Sequence, residues 1–273
     1  MASNSPTTLP SGSKIILYAE HGCPFAHRAY IALHESGLSY EDVIIDLDKP
    51  REPWYLEINA RGLVPSLHVK HGGVDTIITE SENIAWFIAD AFPSHLLPPP
   101  ADVKASLFRA RVRWFADTYR VKVHDKAFGM IKCRTDEEGI AIIKEIVRHI
   151  QQEIEPHLLD AAPFFGGSAY PTLAEVIVGT HVLRAHSWSR NGLTPRFIHE
   201  QYSTNCPVHW RWAEKVMQIP SFHVTWSEES ALSQVKKRMS AHAEKIRKEV
   251  ETERLRIYNE VREEREEQAG KSV

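Results

Sequence analysis

The stretch that decides the fold is residues 14–28, KIILYAEHGCPFAHR. Its apolar start, 14–19, predicts a buried strand, and the polar residues 20–22 form the turn that ends it. A helix is predicted over 24–36, since proline suits the first helical position, where its missing N–H leaves no helical bond unmade. The stretch therefore predicts a strand, a tight turn and a helix with Cys23 at its start.

The start of a helix gives Cys23 an electrostatic reason to react. Unpaired N–H groups and the helix dipole place partial positive charge there, which favours a thiolate over a thiol. The thiolate is the nucleophilic form, and at helix N-termini the pKa of cysteine falls below its free value of about 8.5. We therefore expect Cys23 to be a low-pKa nucleophile. His21 and His27 lie near enough in sequence to tune that pKa, although His27 fits the helix surface equally well.

The following residues alternate between strand and helix patterns. The predicted elements are strands at 40–46, 66–69 and 74–78, a turn-rich segment at 48–62, and a helix at 82–91 that the sequence TESE at 79–82 opens as a capping box. Residues 14–92 therefore predict a small α/β domain.

Beyond a proline-rich linker at 93–101, the periodicity becomes helical. Apolar residues recur at helical spacing, and the capping boxes at 135–138 and 172–175 mark two helix starts. Residues 102–226 therefore predict an all-α domain.

The segment 227–273 predicts a charged helix. A narrow apolar stripe runs along it from Met239 to Val261. The stripe is compatible with a helix that lies on a partner or forms a short coiled coil, and also with a solvated helix that has many charge pairs.

Composition excludes several classes of protein. A net charge of −3 at pH 7 argues against nucleic acid as a partner. No apolar segment approaches the ~18 residues of a membrane span, and residues 1–13 predict a disordered lead-in rather than a signal peptide. Three cysteines, far apart, argue against a disulfide framework and for the cytoplasm. The 15 histidines show no metal-ligand spacing, so no metal is expected.

Several motifs, in order over residues 14–226, resemble the glutathione transferase superfamily, specifically its cysteine-type, omega-like branch. CPFA at 23–26 resembles the omega active-site turn, and GLVPSL at 62–67 resembles the loop whose proline is cis. The pair at 80–81 resembles the residues that hold the γ-glutamyl end of glutathione. FGG at 165–167, with the capping box at Thr172, resembles the family's folding signature, although Glu175 stands where aspartate is usual.

The resemblance implies a thioredoxin-like first domain, an all-helical second domain and glutathione as co-substrate. Cys23 would be the catalytic thiol. The implied glutathione-binding residues are Phe25 as a wall, Val64 with its backbone turned outward by a cis bond to Pro65, Glu80 for the ammonium group, and Ser81 for the carboxylate. The family also implies a homodimer.

The omega-like pattern places a lysine after the second strand to meet the glycyl carboxylate. Here the matching stretch reads LDKPR at 47–51, with one extra residue. Asp48 falls in the expected slot, which leaves Lys49 or Arg51 to supply the charge. We favour Lys49.

The family also places the middle of the first long helix beside the site. Trp114 and Phe115 are therefore candidates for an apolar co-substrate pocket, although helical spacing explains both as core residues, and this second interpretation is favoured. Cys133 and Cys206 are predicted to be inert core residues.

Three functions remain open. The favoured one is a glutathione-dependent thiol transferase acting on a small-molecule or glutathionylated co-substrate through a Cys23–glutathione mixed disulfide, because Ala26 stands where a resolving cysteine would be. A second is a transferase that conjugates or isomerises an electrophilic small molecule. A third is a non-enzymatic interaction protein on the same fold.

Overall fold

The structure, a computed structural model, describes residues 13–130, 133, 135–194 and 197–270. Of the predicted lead-in, residues 1–13, only residue 13 is among the described residues. The first part of the chain contains β1 (Lys14–Ala19), α1 (Pro24–Glu35), β2 (Glu41–Ile44), α2 (Pro53–Ile58), β3 (Ser66–His71), β4 (Val74–Thr79) and α3 (Ser81–Ala91).

The helices that follow are α4 (Val103–Tyr119), α5 (Asp125–Gly129), α6 (Asp136–His149), α7 (Glu155–Leu158), α8 (Leu173–Arg190), α9 (Phe197–Asn205), α10 (Pro207–Val216) and α11 (Glu228–Gly270). Two π-helical turns, Arg120–His124 and Ile150–Ile154, join α4 to α5 and α6 to α7.

The sheet of the first domain has the strand order β2-β1-β3-β4. β1 pairs parallel with β2 and antiparallel with β3, and Leu17 lies opposite Leu67 in that second pairing. Leu17, Leu67 and Ile31 of α1 are fully buried, so the sheet and its helices share one apolar core. The predicted thioredoxin-like α/β domain, followed by a helical region, is confirmed.

Two local predictions in this domain differ from the structure. The segment 48–62, predicted to be rich in turns, contains the short helix α2, which begins at Pro53. The helix has only six residues and is flanked by turn-forming residues, so its periodicity was too short to predict it. The predicted capping box at 79–82 does not form. Glu80 precedes α3 with a left-handed backbone (φ 68°) and makes no side-chain cap.

Glu175, in the first turn of α8, organises the helical region. The capping box with Thr172 forms as predicted, and the same carboxylate accepts hydrogen bonds from the N–H of Phe165 (2.8 Å) and from Trp212 Nε1 (2.7 Å). Burial raises the pKa of this carboxyl group, while its four donors favour the charged form. One side chain thus joins the start of α8 to the 165–167 turn and to α10.

The chain divides into two compact units, one that ends at Ala231 and one that begins at Leu232. The second unit is the continuation of the single helix α11. Most side chains of its predicted apolar stripe lie outside the described residues. Across the part of the chain that the structure describes, no helix combines the length and apolar character that crossing a membrane requires. The limits predicted for the domains stay predictions.

Candidate active site

Cys23 is the residue at which β1 and its turn give way to α1. Its backbone is extended (φ −71°, ψ 123°), and Pro24 begins the helix. The Cys23 N–H donates to the carbonyl of Glu20 (3.1 Å), and its own carbonyl accepts from the N–H of His27 (3.0 Å). Cys23 is thus the N-cap of α1, and only 6% of the residue is exposed.

Burial decides the pKa of the Cys23 thiol. The N–H groups of Ala26 and Phe25 and the charge of Arg184 lower this pKa, but the loss of solvent outweighs them and raises it above its ordinary value. The sequence-based expectation of a low pKa is therefore wrong. The helix start supplies the stabilising donors, as expected, while the cost of desolvation was invisible in the sequence.

His27 does not lie on the helix surface. It is fully buried, donates from Nε2 to the carbonyl of Phe222 (2.9 Å), and accepts at Nδ1 from Arg184 (3.2 Å). Burial lowers the pKa of His27 to about 3, so it is neutral at physiological pH and exerts no charge on Cys23. His21 is partly exposed and donates to Asp42 (2.9 Å).

Arg28 is a site residue that sequence reasoning missed. Its guanidinium, in a residue that is 3% exposed, donates to the carbonyl of Ile177 (2.8 Å), to Ser81 Oγ (3.2 Å) and to His181 Nε2 (2.8 Å). These three partners carry no charge, and burial lowers the pKa of Arg28 to about 10. The signal was present in the sequence, as an arginine among the apolar residues of α1 just after the CPFA motif.

Ser81 begins α3 and is buried. Its oxygen accepts the hydrogen bond from Arg28, which leaves the hydroxyl proton for a ligand. The first N–H groups of an α-helix have no intrahelical partner and favour an anion. A carboxylate acceptor would therefore find several donors at this helix start.

Val64 offers unused backbone groups. The bond between Val64 and Pro65 is cis. The carbonyl of Leu63 is occupied by Tyr55 Oη (2.6 Å) and Asn59 Nδ2 (2.9 Å), whereas, within the described residues, neither the N–H nor the C=O of Val64 forms a hydrogen bond. A peptide ligand can pair with both groups.

Glu80 and Lys49 both have partners in the structure. Glu80 forms an ion pair with Arg61, so a ligand ammonium group would share or displace this arginine. Lys49 has a side chain that is 78% exposed, and its Nζ lies 2.9 Å from Asp46. Arg51, the alternative, donates to the carbonyls of Asp46, Leu47, Lys49 and Gly62. The structure thus makes Arg51 a loop-stabilising residue.

The two candidate pocket residues, Phe115 and Trp114, have different surroundings. Phe115 is fully buried between Phe165 and Trp212, so it is a core residue and no pocket wall. Trp114 is 43% exposed and stacks on His157, with ring centroids 3.9 Å apart. For Phe115 this is the interpretation favoured from the sequence, since the face of α4 on which it lies packs against the 165–167 turn and α10. A pocket role for Trp114 stays a prediction.

Phe25 instead borders a polar group of side chains. Its ring, in a residue that is 39% exposed, meets His124 and His181 edge-on, with centroids 6.1 and 5.8 Å away, and Arg28 lies 5.4 Å from its centre. His124 and His181 were absent from the sequence-based site because they come from the π-turn after α4 and from the middle of α8.

Other features lie apart from this group. A cavity of about 750 Å³ is lined by residues that include His34, Tyr170 and Lys215, and by no predicted site residue.

Cys206 is buried, and burial raises the pKa of its thiol to about 12. Over the described residues, no group of three or more His, Cys, Asp or Glu side chains is arranged to hold a metal ion.

Residues 22–91 match the family model described as "Glutathione S-transferase, N-terminal domain". A probable glutathione transferase from Aplysia californica is 34% identical over 91 residues, which are 33% of this chain and 89% of that protein. The chain belongs to the glutathione transferase family. Pyrimidodiazepine synthase from Drosophila melanogaster is 32% identical over 106 residues, 38% of this chain and 43% of that protein.

The omega-like assignment within the glutathione transferases is supported by the fold. The crystal structure of glutathione transferase Omega 2C from Trametes versicolor superimposes with a TM-score of 0.70 at 25% identity, over 84% of this chain and 99% of that one. The sequence matches to the first curated relatives span about half of their length, from 43% to 65%. Glutathione is the co-substrate of this family.

Proposed function

We propose that this glutathione transferase is a glutathione-dependent thiol transferase. The observation that carries the proposal is the position of Cys23 as N-cap of α1, with Ala26 instead of a second cysteine one turn later. A thiol in this place can form a mixed disulfide with glutathione, but it cannot resolve that disulfide within its own turn.

The proposed reaction has two exchange steps. The Cys23 thiolate attacks the glutathionyl sulfur of a mixed disulfide between glutathione and a second thiol, and that second thiol leaves as a thiolate and takes up a proton. The thiolate of a free glutathione then attacks the glutathionyl sulfur bound to Cys23. Glutathione disulfide leaves, and Cys23 is restored; the co-substrate is reduced and two glutathione moieties end as the disulfide.

The glutathione site of this proposal uses the residues around Cys23. Val64 pairs with the peptide backbone of the ligand, Ser81 and the start of α3 hold the γ-glutamyl carboxylate, and Glu80 takes the ammonium group. Lys49 meets the glycyl carboxylate, and Phe25 forms a wall beside the sulfur. The hydroxyl proton of Ser81 and the unbonded groups of Val64 support these roles.

Replacement of Cys23 tests the proposal. In Cys23→Ala, glutathione-dependent reduction of a glutathionylated peptide should fall to the uncatalysed rate, and mass spectrometry should find no glutathione adduct on the protein. Cys133→Ser is the matched control, since Cys133 lies outside the site and is more exposed; it should keep full activity. Undiminished reduction in Cys23→Ala would refute the covalent scheme.

A second function is favoured by the similarity to a protein named pyrimidodiazepine synthase. In this alternative, glutathione would act on a small electrophile without an enzyme-bound disulfide. Cys23→Ser would then retain activity, and the product would contain a carbon–sulfur bond detectable by mass spectrometry. The two functions therefore predict opposite results for the same position.

We also expect a homodimer in the cytoplasm, as is typical of the family. Light scattering coupled to size-exclusion chromatography measures the assembly directly. A mass of one chain, about 31.2 kDa, would contradict the dimer without affecting the thiol chemistry.

A further inference from the structure

Two histidines from different helices lie against each other beside Phe25. The ring centroids of His124 and His181 are 3.6 Å apart, and the planes are tilted by 37°. Both rings meet the edge or face of Phe25, which follows Cys23 by two residues. The pair therefore lies against Phe25, and both histidines come from the helical region that follows the first domain.

The tautomer of His181 is fixed by Arg28. A guanidinium can only donate, so the nitrogen that Arg28 contacts at 2.8 Å, Nε2, must be an acceptor. Neutral His181 therefore carries its proton on Nδ1. Within the described residues, no group accepts from this Nδ1–H, although the side chain is more than nine-tenths buried.

His124 has the same tautomer, but a different kind of partner fixes it. Its Nδ1 lies 3.0 Å from Asp125 Oδ1, and a carboxylate can only accept, so Nδ1 carries the proton. Nε2 of His124 is then a lone-pair acceptor, and no described residue donates to it. Burial lowers the pKa of His124, which keeps this acceptor available at neutral pH.

The pair thus presents one open donor and one open acceptor. A hydroxyl group is the complement of this pair, because it donates one hydrogen bond and accepts others. With hydrogen bonds of about 3 Å, one oxygen can span rings at this separation.

We propose that His124 and His181 form a co-substrate subsite that selects a hydroxyl-bearing group on the sulfur partner of glutathione over an alkyl group of the same size. The inference rests on the proposed use of glutathione. It adds the chemical class of the second substrate, a small polar alcohol-type thiol. Arg28 links this subsite to the glutathione site, since it donates to both His181 and Ser81.

Other polar groups fit the pair less well. A carboxylate would accept from His181 and would be attracted by the charge of Arg28, but it has no proton to donate and would face the lone pair of His124. An ammonium group would donate to His124 but would lie near the buried charge of Arg28. A hydroxyl has neither conflict.

Binding of two thioethers of glutathione tests the subsite without thiol chemistry. S-(2-hydroxyethyl)glutathione and S-propylglutathione have the same chain length and differ only in OH against CH₃. Calorimetry on the full chain should give a tighter Kd for the hydroxyethyl compound. His124→Phe keeps a ring in place but removes the acceptor nitrogen. In this variant the Kd of the hydroxyethyl compound, divided by that of the propyl compound, should increase about fivefold. One neutral hydrogen bond of about 1 kcal/mol corresponds to this factor.

Two further variants sharpen the test. His124→Gln supplies an amide oxygen as acceptor and should restore part of the preference. His68→Phe is the matched control, since His68 is likewise bonded to a carboxylate, that of Asp75 in the sheet, and its loss should leave the ratio unchanged.

The outcomes separate the subsite from the proposed function. A preference for the propyl compound in the natural chain, or an unchanged ratio in His124→Phe, would overturn the subsite while glutathione binding stands. Failure of both compounds and of glutathione itself to bind would overturn the proposed function and the subsite together.

Discussion

Arg184 donates a hydrogen bond of 3.0 Å from Nη2 to the carbonyl of Gly22, so a side chain of α8 holds the peptide that precedes Cys23. The same guanidinium bonds to His27 Nδ1, and its charge lowers the pKa of the Cys23 thiol. The helical domain thus positions and polarises the nucleophile of the first domain.

Replacement of Arg184 should therefore raise the pKa of the Cys23 thiol. Arg184→Gln removes the charge, and we expect an upward shift of the pKa by about one unit. Arg184→Lys keeps the charge but loses the fork of donors, so its shift should be smaller. Absorbance of the thiolate against pH measures both, and equal pKa values in all three proteins would contradict the electrostatic role.

Alkylation of Cys23 should rise with pH. Burial holds the pKa of its thiol above the ordinary value, so the rate with iodoacetamide should rise up to tenfold per pH unit from pH 7. Cys206, whose pKa burial raises to about 12, should stay unmodified. Peptide mass spectrometry distinguishes the sites. A rate for Cys23 that is already constant below pH 7 would mean that the helix start outweighs burial.

Glu175→Gln should destabilise the helical domain. The amide nitrogen of glutamine would replace one acceptor oxygen and face N–H or O–H donors that the carboxylate now accepts from. We expect a loss of about 2–4 kcal/mol in the free energy of unfolding. Trp212→Phe removes one of the four donors and should cost less. Urea unfolding measures both, and an unchanged midpoint in Glu175→Gln would contradict this arrangement.

Stability should fall with acid because of His27. Its pKa drops from 6.5 in the unfolded chain to about 3 in the folded one, so the unfolded chain binds the proton first. The stability that neutral His27 contributes is complete above pH 6.5 and is lost as the pH falls toward 3, by at most ~1.4 kcal/mol per pH unit. His27→Gln should therefore lose about 2 kcal/mol less than the natural chain between pH 6.5 and 5. Urea unfolding at the two pH values measures the difference. Equal losses in the free energy of unfolding for His27→Gln and the natural chain would contradict this role of His27.

Replacement of Lys49 should affect glutathione binding, whereas replacement of Arg51 should affect stability. Lys49→Met should raise the KM for glutathione about three- to tenfold with little effect on unfolding, since an exposed ion pair such as that with Asp46 stabilises little. Arg51→Met should lower the free energy of unfolding by about 2 kcal/mol, because four carbonyl groups lose their donor. An unchanged KM in Lys49→Met would mean that another residue holds the glycyl carboxylate.

The sequence predicted the first domain well because its signals are local. The strand–turn–helix at 14–28 and the cis bond to Pro65 implied by the resemblance depend on neighbouring residues, and the structure contains both. The capping box at Thr172, in the helical region, is equally local and is also present. The capping box at 79–82 failed, because Glu80 adopts a left-handed backbone that no residue-type rule anticipates.

The candidate site was less predictable because it depends on residues far apart in the chain. Arg28 and His181 are separated by 153 positions, and Arg184 and Gly22 by 162. Desolvation of Cys23 is likewise a property of packing. Phe115 illustrates the same limit, since helical spacing placed it on an apolar face but could not tell a pocket wall from the core.

Arg28 has a thermodynamic consequence beyond its contacts. One planar guanidinium is shared by the hydroxyl of Ser81 and the imidazole of His181. A ligand that changes the hydrogen bonding of either partner changes the charge distribution that the other experiences. By reciprocity, the first ligand must then alter the affinity for the second by the same factor as the second alters the affinity for the first, in whichever order they bind.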